Sequence, residues 1–291
     1  GEKVLPSSPN PTTASICKVM PPDEKHPHET GIIKFKSPET LLMDVNEALE
    51  KFGHQAISLS EAVTLTKNVI YKTHTSKEEH SLSLSFLNAF SKGYEQLSHH
   101  LNKSLFADKE MVMQFIAEED KSCFVEEINF YYESELTKKG ITIVDTPGAD
   151  SINARHTDVA FEYIKNADAI LFVTYYNHAF SKADREFLIQ LGRVKDQFAL
   201  DKMFFIINAT DLAQSEDDLH DVISYVDSEL IKFGIRNANI YPVSSLKGLK
   251  EKKLNTNLQS GLKSFEHDFY HFIEHILRSV AYHTVVEEFK A

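Results

Sequence analysis

Two hydrophobic periods divide the chain. From Pro38 to Glu119 apolar side chains recur about every 3.6 residues, as in Leu41, Leu42, Val45, Ala48, Leu49 and Phe52, and again in Leu82, Leu84, Leu87, Phe90, Tyr94 and Leu97. That spacing gathers the apolar groups on one helical face and predicts three or four amphipathic helices. Ser37 before Pro38 has the form of an N-cap followed by proline at the first helical position, where no backbone donor is lost. Beyond this block come short apolar runs: Val125 to Tyr132, Ile141 to Asp145, Ala169 to Thr174, Met203 to Asn208 and Ile240 to Val243. Helical segments at Arg155 to Lys165, Lys182 to Val194 and Asp217 to Lys232 alternate with them, which implies right-handed crossovers onto a mainly parallel sheet. The first two runs, joined by the polar Glu133 to Gly140, have the alternative of pairing as an antiparallel ribbon at the sheet edge.

The ends read differently. Six prolines fall within Gly1 to His28 and mark that stretch as loop, with a short strand around Ser15 to Val19 and a second at Gly31 to Lys36. From Ser260 onward Leu262, Phe265, Phe269, Phe272, Ile273, Ile276 and Leu277 return to helical spacing and predict a long terminal helix over 260–291. Its aromatic residues read as packing core and not as a base-stacking platform. The expected fold class is therefore α/β, with a helical insertion at 37–120.

Composition narrows the function. Hydrophobic residues at 42% and charged residues at 25% suit a folded, water-soluble protein. A formal net charge of −12 argues against a general nucleic-acid binder, which needs locally clustered Lys and Arg. The two cysteines, Cys17 and Cys123, have no metal-ligand spacing and suit a reducing, cytosolic setting. No stretch approaches the roughly 20 apolar residues that span a bilayer. His26, His28, His99 and His100 read as solvated side chains, with metal ligation as the alternative. Lys182, Asp184 and Arg185 read as a solvated helix start, with contact to a partner domain as the alternative.

Candidate chemistry sits where strands end. Ile141-Thr-Ile-Val-Asp145-Thr-Pro-Gly148 is an apolar strand that closes on Asp and turns at Pro-Gly. Ligands of parallel sheets lie beyond the carboxyl ends of strands, so Asp145 would project toward a phosphate-bound metal and Gly148 would offer its backbone N–H to a terminal phosphate. An ordinary strand-to-loop turn is the alternative. Met203-Phe-Phe-Ile-Ile207 ends in Asn208-Ala-Thr-Asp211, where a carboxylate after a strand accepts the two parallel donors of guanine, N1–H and the exocyclic amine. Asn208 would tie neighbouring loops together. A turn or helix cap is the alternative there. Val243-Ser244-Ser245 offers backbone donors to the guanine carbonyl or, equally, an N-cap. Pro11-Thr12-Thr13-Ala14 places hydroxyls in a proline-rich loop, where one would join a metal shell and position an attacking water.

In this order the four segments resemble the second to fifth sequence elements of GTPases. Leu5-Pro6 leading into Pro11-Thr12-Thr13, then a wide gap to Asp145-Thr-Pro-Gly-Ala-Asp150-Ser, resembles the dynamin superfamily, and bacterial dynamin-like proteins most. The resemblance spans nearly the whole chain and is densest from Gly140 to Asp211. It implies a P-loop GTPase-type three-layer fold, guanine nucleotide and Mg²⁺ as ligands, self-association through the nucleotide face, and membrane work through regions not present. It implies that Thr13, or else Thr12, is the catalytic and metal-binding switch residue, and that Asp145 acts on Mg²⁺ through water. Gly148 would lie at the γ-phosphate, and Asn208, Asp211, Ser244 and Ser245 at the base.

Two departures matter. Ala209 stands where many GTPases carry a lysine whose stem covers the base. G-x-x-x-x-G-K-S/T does not occur in the 291 residues, and by the resemblance that loop would precede Gly1, with the first strand and most of the first helix. The chain reads as an incomplete GTPase domain, inactive as given, whose nucleotide binding is weak or absent. The rival reading is a nucleotide-independent interaction module on a degenerate GTPase fold. An ATPase of similar fold is disfavoured by Asp211.

Overall fold

The computed structural model describes residue 5 and residues 15–73, 81–146, 163–193 and 202–290. The chain divides into two compact units, Val4–Ala160 and a second made chiefly of Phe161–Ala291.

The first unit joins a mixed sheet to a helical layer. Its strands are β1 (Ile16–Met20), β2 (Thr30–Phe35), β3 (Ser104–Asp108), β4 (Val125–Tyr131) and β5 (Ile143–Asp145), in the order β3-β2-β4-β1-β5. Only β1 and β4 run parallel; the other neighbouring pairs are antiparallel. The runs at Val125 and Ile141 do not pair with each other, because β1 lies between them, and β5 is left at the edge. Between β2 and β3 the chain forms α1 (Pro38–Glu50), α2 (Leu59–Thr73) and α3 (Ser81–Leu97), and between β3 and β4 it forms α4 (Lys109–Ala117) and the single turn α5 (Glu119–Ser122).

The Ser37 hydroxyl oxygen accepts the Thr40 amide at 3.0 Å and starts α1, as an N-cap should. One core then gathers Leu41, Val45, Ala48 and Leu49 of α1, Leu87 and Phe90 of α3, and Ile33, Val125, Ile128 and Phe130 of the sheet. Beside it Lys36 and Asp44 form a buried ion pair at 2.8 Å, with the Lys36 ammonium also donating to the Cys123 carbonyl at 2.9 Å. The strand β3 interrupts the helical block expected from periodicity. Ser104-Leu-Phe-Ala-Asp108 buries only Ala107 and exposes Phe106, so an edge strand here leaves little hydrophobic pattern to read.

The second unit is parallel. Its strands β6 (Ile170–Tyr175), β7 (Met203–Asn208) and β8 (Ile240–Val243) lie side by side in that order. They alternate with α6 (Lys182–Arg193) and α7 (Glu216–Lys232), and α8 (Ser245–Leu254) and α9 (Leu262–Lys290) follow. As the middle strand, β7 is apolar on both faces. Phe205 and Ile207 pack with Phe172, Val226 and Leu230, while Phe204 and Ile206 pack with Tyr241 and Phe265. The Phe204 ring meets Phe265, Phe269 and Phe272 edge-on, so the aromatic run of α9 is sheet-packing core. On β6 one face is buried, whereas Leu171, Val173 and Tyr175 are exposed. The segment expected to be helical at 155–165 lies outside the described residues except for its helical end.

Candidate functional site

The ends of β7 and β8 are cross-linked by side chains. Asn208, the last residue of β7, accepts two backbone amides on its Oδ1: Ala209 at 2.8 Å and Ser245 at 3.1 Å. The second bond ties the loop after β7 to the start of α8. These bonds hold Ala209 in the left-handed region at φ +64°, which an L-residue adopts at a cost of about 1–2 kcal/mol. The turn delivers Asp211 into a 3₁₀ segment, Thr210–Leu212, directly beside the β8 end.

There Asp211 Oδ1 accepts the Ser244 hydroxyl at 2.5 Å. Ser244 is buried and also caps α8, its Oγ accepting the Lys247 amide at 3.1 Å. One oxygen of Asp211 is thus fixed, and the carboxylate is aimed without being buried. The Ser244 amide donates to the Ser260 carbonyl at 2.8 Å, and the Ser245 amide to Asn208. Both donors that the sequence offers to a base carbonyl are therefore already engaged within the protein, and the helix-cap role of Ser244 is realised alongside its bond to Asp211.

In the first unit Asp145 closes β5, paired in register with Cys17 of β1. Part of its surface stays open to solvent, while the protein crowded around it removes some of its hydration and raises its carboxyl above the usual carboxylate range. Burial likewise pushes the Cys17 thiol up to about 12, with the Asp145 charge adding to it. Mg²⁺ is ordinarily held by one or two carboxylates together with phosphate oxygens and water. A single accessible carboxylate at a strand end fits that donor set, and the described residues contain no cluster of three His, Cys, Asp or Glu side chains placed for a metal. Thr12, Thr13 and Gly148 lie outside the described residues.

The helix start at Lys182 is built from within. Ser181 and Asp184 form a reciprocal capping box, with the Ser181 amide on Asp184 Oδ2 at 2.8 Å and the Asp184 amide on Ser181 Oγ at 3.2 Å. Buried Thr174, at the β6 end, donates to the same carboxylate at 3.2 Å, and Arg185 donates to the Tyr225 hydroxyl at 2.8 Å. Thr174 carries no sequence signal of its own; Ser181-x-x-Asp184, a capping-box pattern six residues past the end of β6, is the signal nearest to it. The histidines are held by their neighbours: the His26 ring bonds Asp23 and stacks on Tyr131, and His28 Nδ1 accepts the Glu133 amide at 2.9 Å.

Comparison with known proteins agrees with this architecture. Residues 1–210 match the Dynamin family. Dynamin-like protein A of Bacillus subtilis is 43% identical over 253 residues, covering 87% of this chain and 21% of the relative. A probable transmembrane GTPase, FZO-like, from Arabidopsis thaliana chloroplasts is 24% identical over 81% of this chain and 26% of its own length. The chain thus spans about a fifth to a quarter of these two relatives. A structure of an oligomerised bacterial dynamin pair, described as sensing and tethering membranes, superposes with a TM-score of 0.68 at 20% identity, over 96% of this chain and 43% of that one. At that identity the likeness concerns the fold. No helix among the described residues is long and apolar enough to cross a membrane. With the family matched over 210 of 291 residues and a close bacterial relative along most of its length, this chain belongs to the dynamin family.

Proposed function

We propose that the chain forms the base-reading part of a guanine-nucleotide site in a dynamin-like GTPase. The complete protein hydrolyses GTP and works at a membrane surface as a peripheral, self-associating protein. The observation that carries the reading is the cross-linked end of β7 and β8. Asp211 has one oxygen held by Ser244 and a second that is available, and Asn208 locks the turn that presents it. A carboxylate aimed in this way accepts the N1–H and exocyclic amine of guanine, whereas adenine presents an acceptor and no matching pair of donors.

Within this reading each residue has a limited task. Asp211 accepts the base edge, with Asn208, Ser244 and Ser245 keeping the two loops in register. Asp145 accepts the hydration shell of Mg²⁺, which when bound neutralises phosphate charge. Thr13, or else Thr12, holds the attacking water, and the Gly148 amide donates to the terminal phosphate. The phosphate-cradling G-x-x-x-x-G-K-S/T does not occur in residues 1–291, so tight binding requires those donors from sequence outside this stretch. The family match and the Bacillus subtilis relative support the assignment. The second reading, a nucleotide-independent interaction module on a degenerate GTPase fold, makes the opposite prediction for nucleotide binding.

The test is titration of a fluorescent GTP analogue with Mg²⁺ into residues 1–291 and into the full-length protein. Tight, GTP-selective binding by the full-length protein and weak binding by the shorter chain is the expected result. Binding by neither moves the assignment to the interaction module.

A further inference from the structure

Helix α8 turns one carboxylate inward. Glu251 is buried, at 6% exposed, and accepts three hydrogen bonds from the loop that follows its own helix. The donors are the Leu258 amide at 2.6 Å, the Ser260 amide at 3.2 Å and the Ser260 hydroxyl. That loop is unusual backbone: Asn255, Gln259 and Gly261 all have positive φ, at +49°, +54° and +73°. Asn255 is the left-handed C-cap of α8, a conformation asparagine adopts readily, but at Gln259 positive φ costs on the order of 1–2 kcal/mol, which the loop must offset with other contacts. Glu251 supplies such contacts. The Ser260 hydroxyl, and after it the two amides, keep its carboxyl below the ordinary range despite its burial.

What the loop holds in turn is the base-reading end. The Ser260 carbonyl accepts the Ser244 amide at 2.8 Å, and the Ser244 hydroxyl donates to Asp211 Oδ1 at 2.5 Å. Gly261 passes so close to β8 that a Cβ there would lie 2.0 Å from the Pro242 carbonyl oxygen, which pins the loop against the strand carrying Ser244. The bonds run unbroken from Glu251 through Ser260 and Ser244 to Asp211. The second oxygen of Asp211 faces a ligand in one orientation only while Ser244 keeps its own place.

We propose that Glu251, acting through Ser260, is a positioning residue for base recognition: it fixes Ser244 so that the Asp211 carboxylate meets both donors of a guanine edge. This rests on the nucleotide-binding reading above. The role differs from plain loop stabilisation in what it affects. A loosened loop lowers stability and affinity for every nucleotide alike, whereas a misaimed Asp211 loses most with the ligand that makes two bonds to it. Inosine triphosphate lacks the exocyclic amine and makes one.

The experiment uses the full-length protein, comparing wild type, Glu251→Ala and Glu251→Gln for binding of GTP, ITP and ATP. Circular dichroism and hydrogen exchange at the Ser244 amide are recorded on the same samples without nucleotide. Expected is a loss of about tenfold in GTP affinity for Glu251→Ala, the size of one hydrogen bond to a charged group, with a clearly smaller loss for ITP. Glu251→Gln, which keeps an oxygen to accept the two amides, restores most of the preference. Ser244 amide protection falls at least about tenfold in Glu251→Ala while amides of β7 keep theirs. Equal losses for GTP, ITP and ATP, or unchanged Ser244 protection, overturn the positioning role and leave the guanine site standing. Wild type that binds no guanine nucleotide overturns the function itself, and unchanged Ser244 protection in Glu251→Ala would then remove the brace as well.

Discussion

At the carboxyl ends of β7 and β8 the polar side chains brace one another: Asn208 holds two amides, Ser244 holds Asp211 and a helix start, and Glu251 holds the loop behind them. Asp145 stands in the opposite condition, at the end of a three-residue edge strand, exposed, and attached to its sheet through the antiparallel pairing with β1. On the proposed reading the two carboxylates have different tasks. Reading a base needs a carboxylate fixed in direction before the ligand arrives, since discrimination comes from hydrogen-bond geometry. Meeting a hydrated cation through water needs a carboxylate within reach, and the ligand shell supplies the geometry.

The largest effect on the braced end is expected from Gly261→Ala, because the new Cβ collides with the Pro242 carbonyl and the residue sits at φ +73°. Chemical denaturation should show a loss of about 3 kcal/mol or more. Next is Ser244→Ala, which removes a helix cap and the partner of Asp211 together and should destabilise by about 1–2 kcal/mol in the same assay. Ala209→Gly acts in the other direction. Relief of the left-handed strain outweighs the added flexibility of the unfolded chain, for a gain of about 0.5 kcal/mol. The open end gives the smallest response. The Asp145 carboxyl is raised in the folded state, so the folded protein holds the extra proton over the window between the ordinary and the raised value. Its contribution to stability is present below that window and is lost as pH rises through it. Asp145→Asn should flatten that part of the stability-versus-pH curve and leave the rest unchanged, as thermal unfolding across acidic pH would show.

What could be read in the sequence follows from how each element is stabilised. The run Met203 to Ile207 is buried on both faces, and α1 and α3 carry one wide apolar stripe, so periodicity was enough to find them. Asn208 and Asp211 stood out through their place in an ordered set of four segments at strand ends, since a polar pair after a strand serves equally as a turn or helix cap. β3 was not legible, since an edge strand with one buried residue resembles the helices around it. The neighbour of β5 was not legible either: β1 comes from a proline-rich beginning far away in sequence and is inserted between β4 and β5. Glu251 gave no signal because it sits among Lys250, Lys252 and Lys253, in a stretch that reads as a solvated helix surface until the loop at Leu258 to Ser260 is seen to fold back onto it.

The most direct test of the central claim, that Asp211 reads a guanine edge, is to exchange its hydrogen-bonding pattern. In the full-length protein, Asp211→Asn keeps an oxygen for Ser244 and replaces the other with a donor, so the site should lose GTP and gain xanthosine triphosphate, whose ring carries a carbonyl in place of the amine. Competition of the two nucleotides against a fluorescent analogue should therefore reverse their order, by about tenfold or more in each direction. An unchanged preference for GTP in this variant would contradict the account.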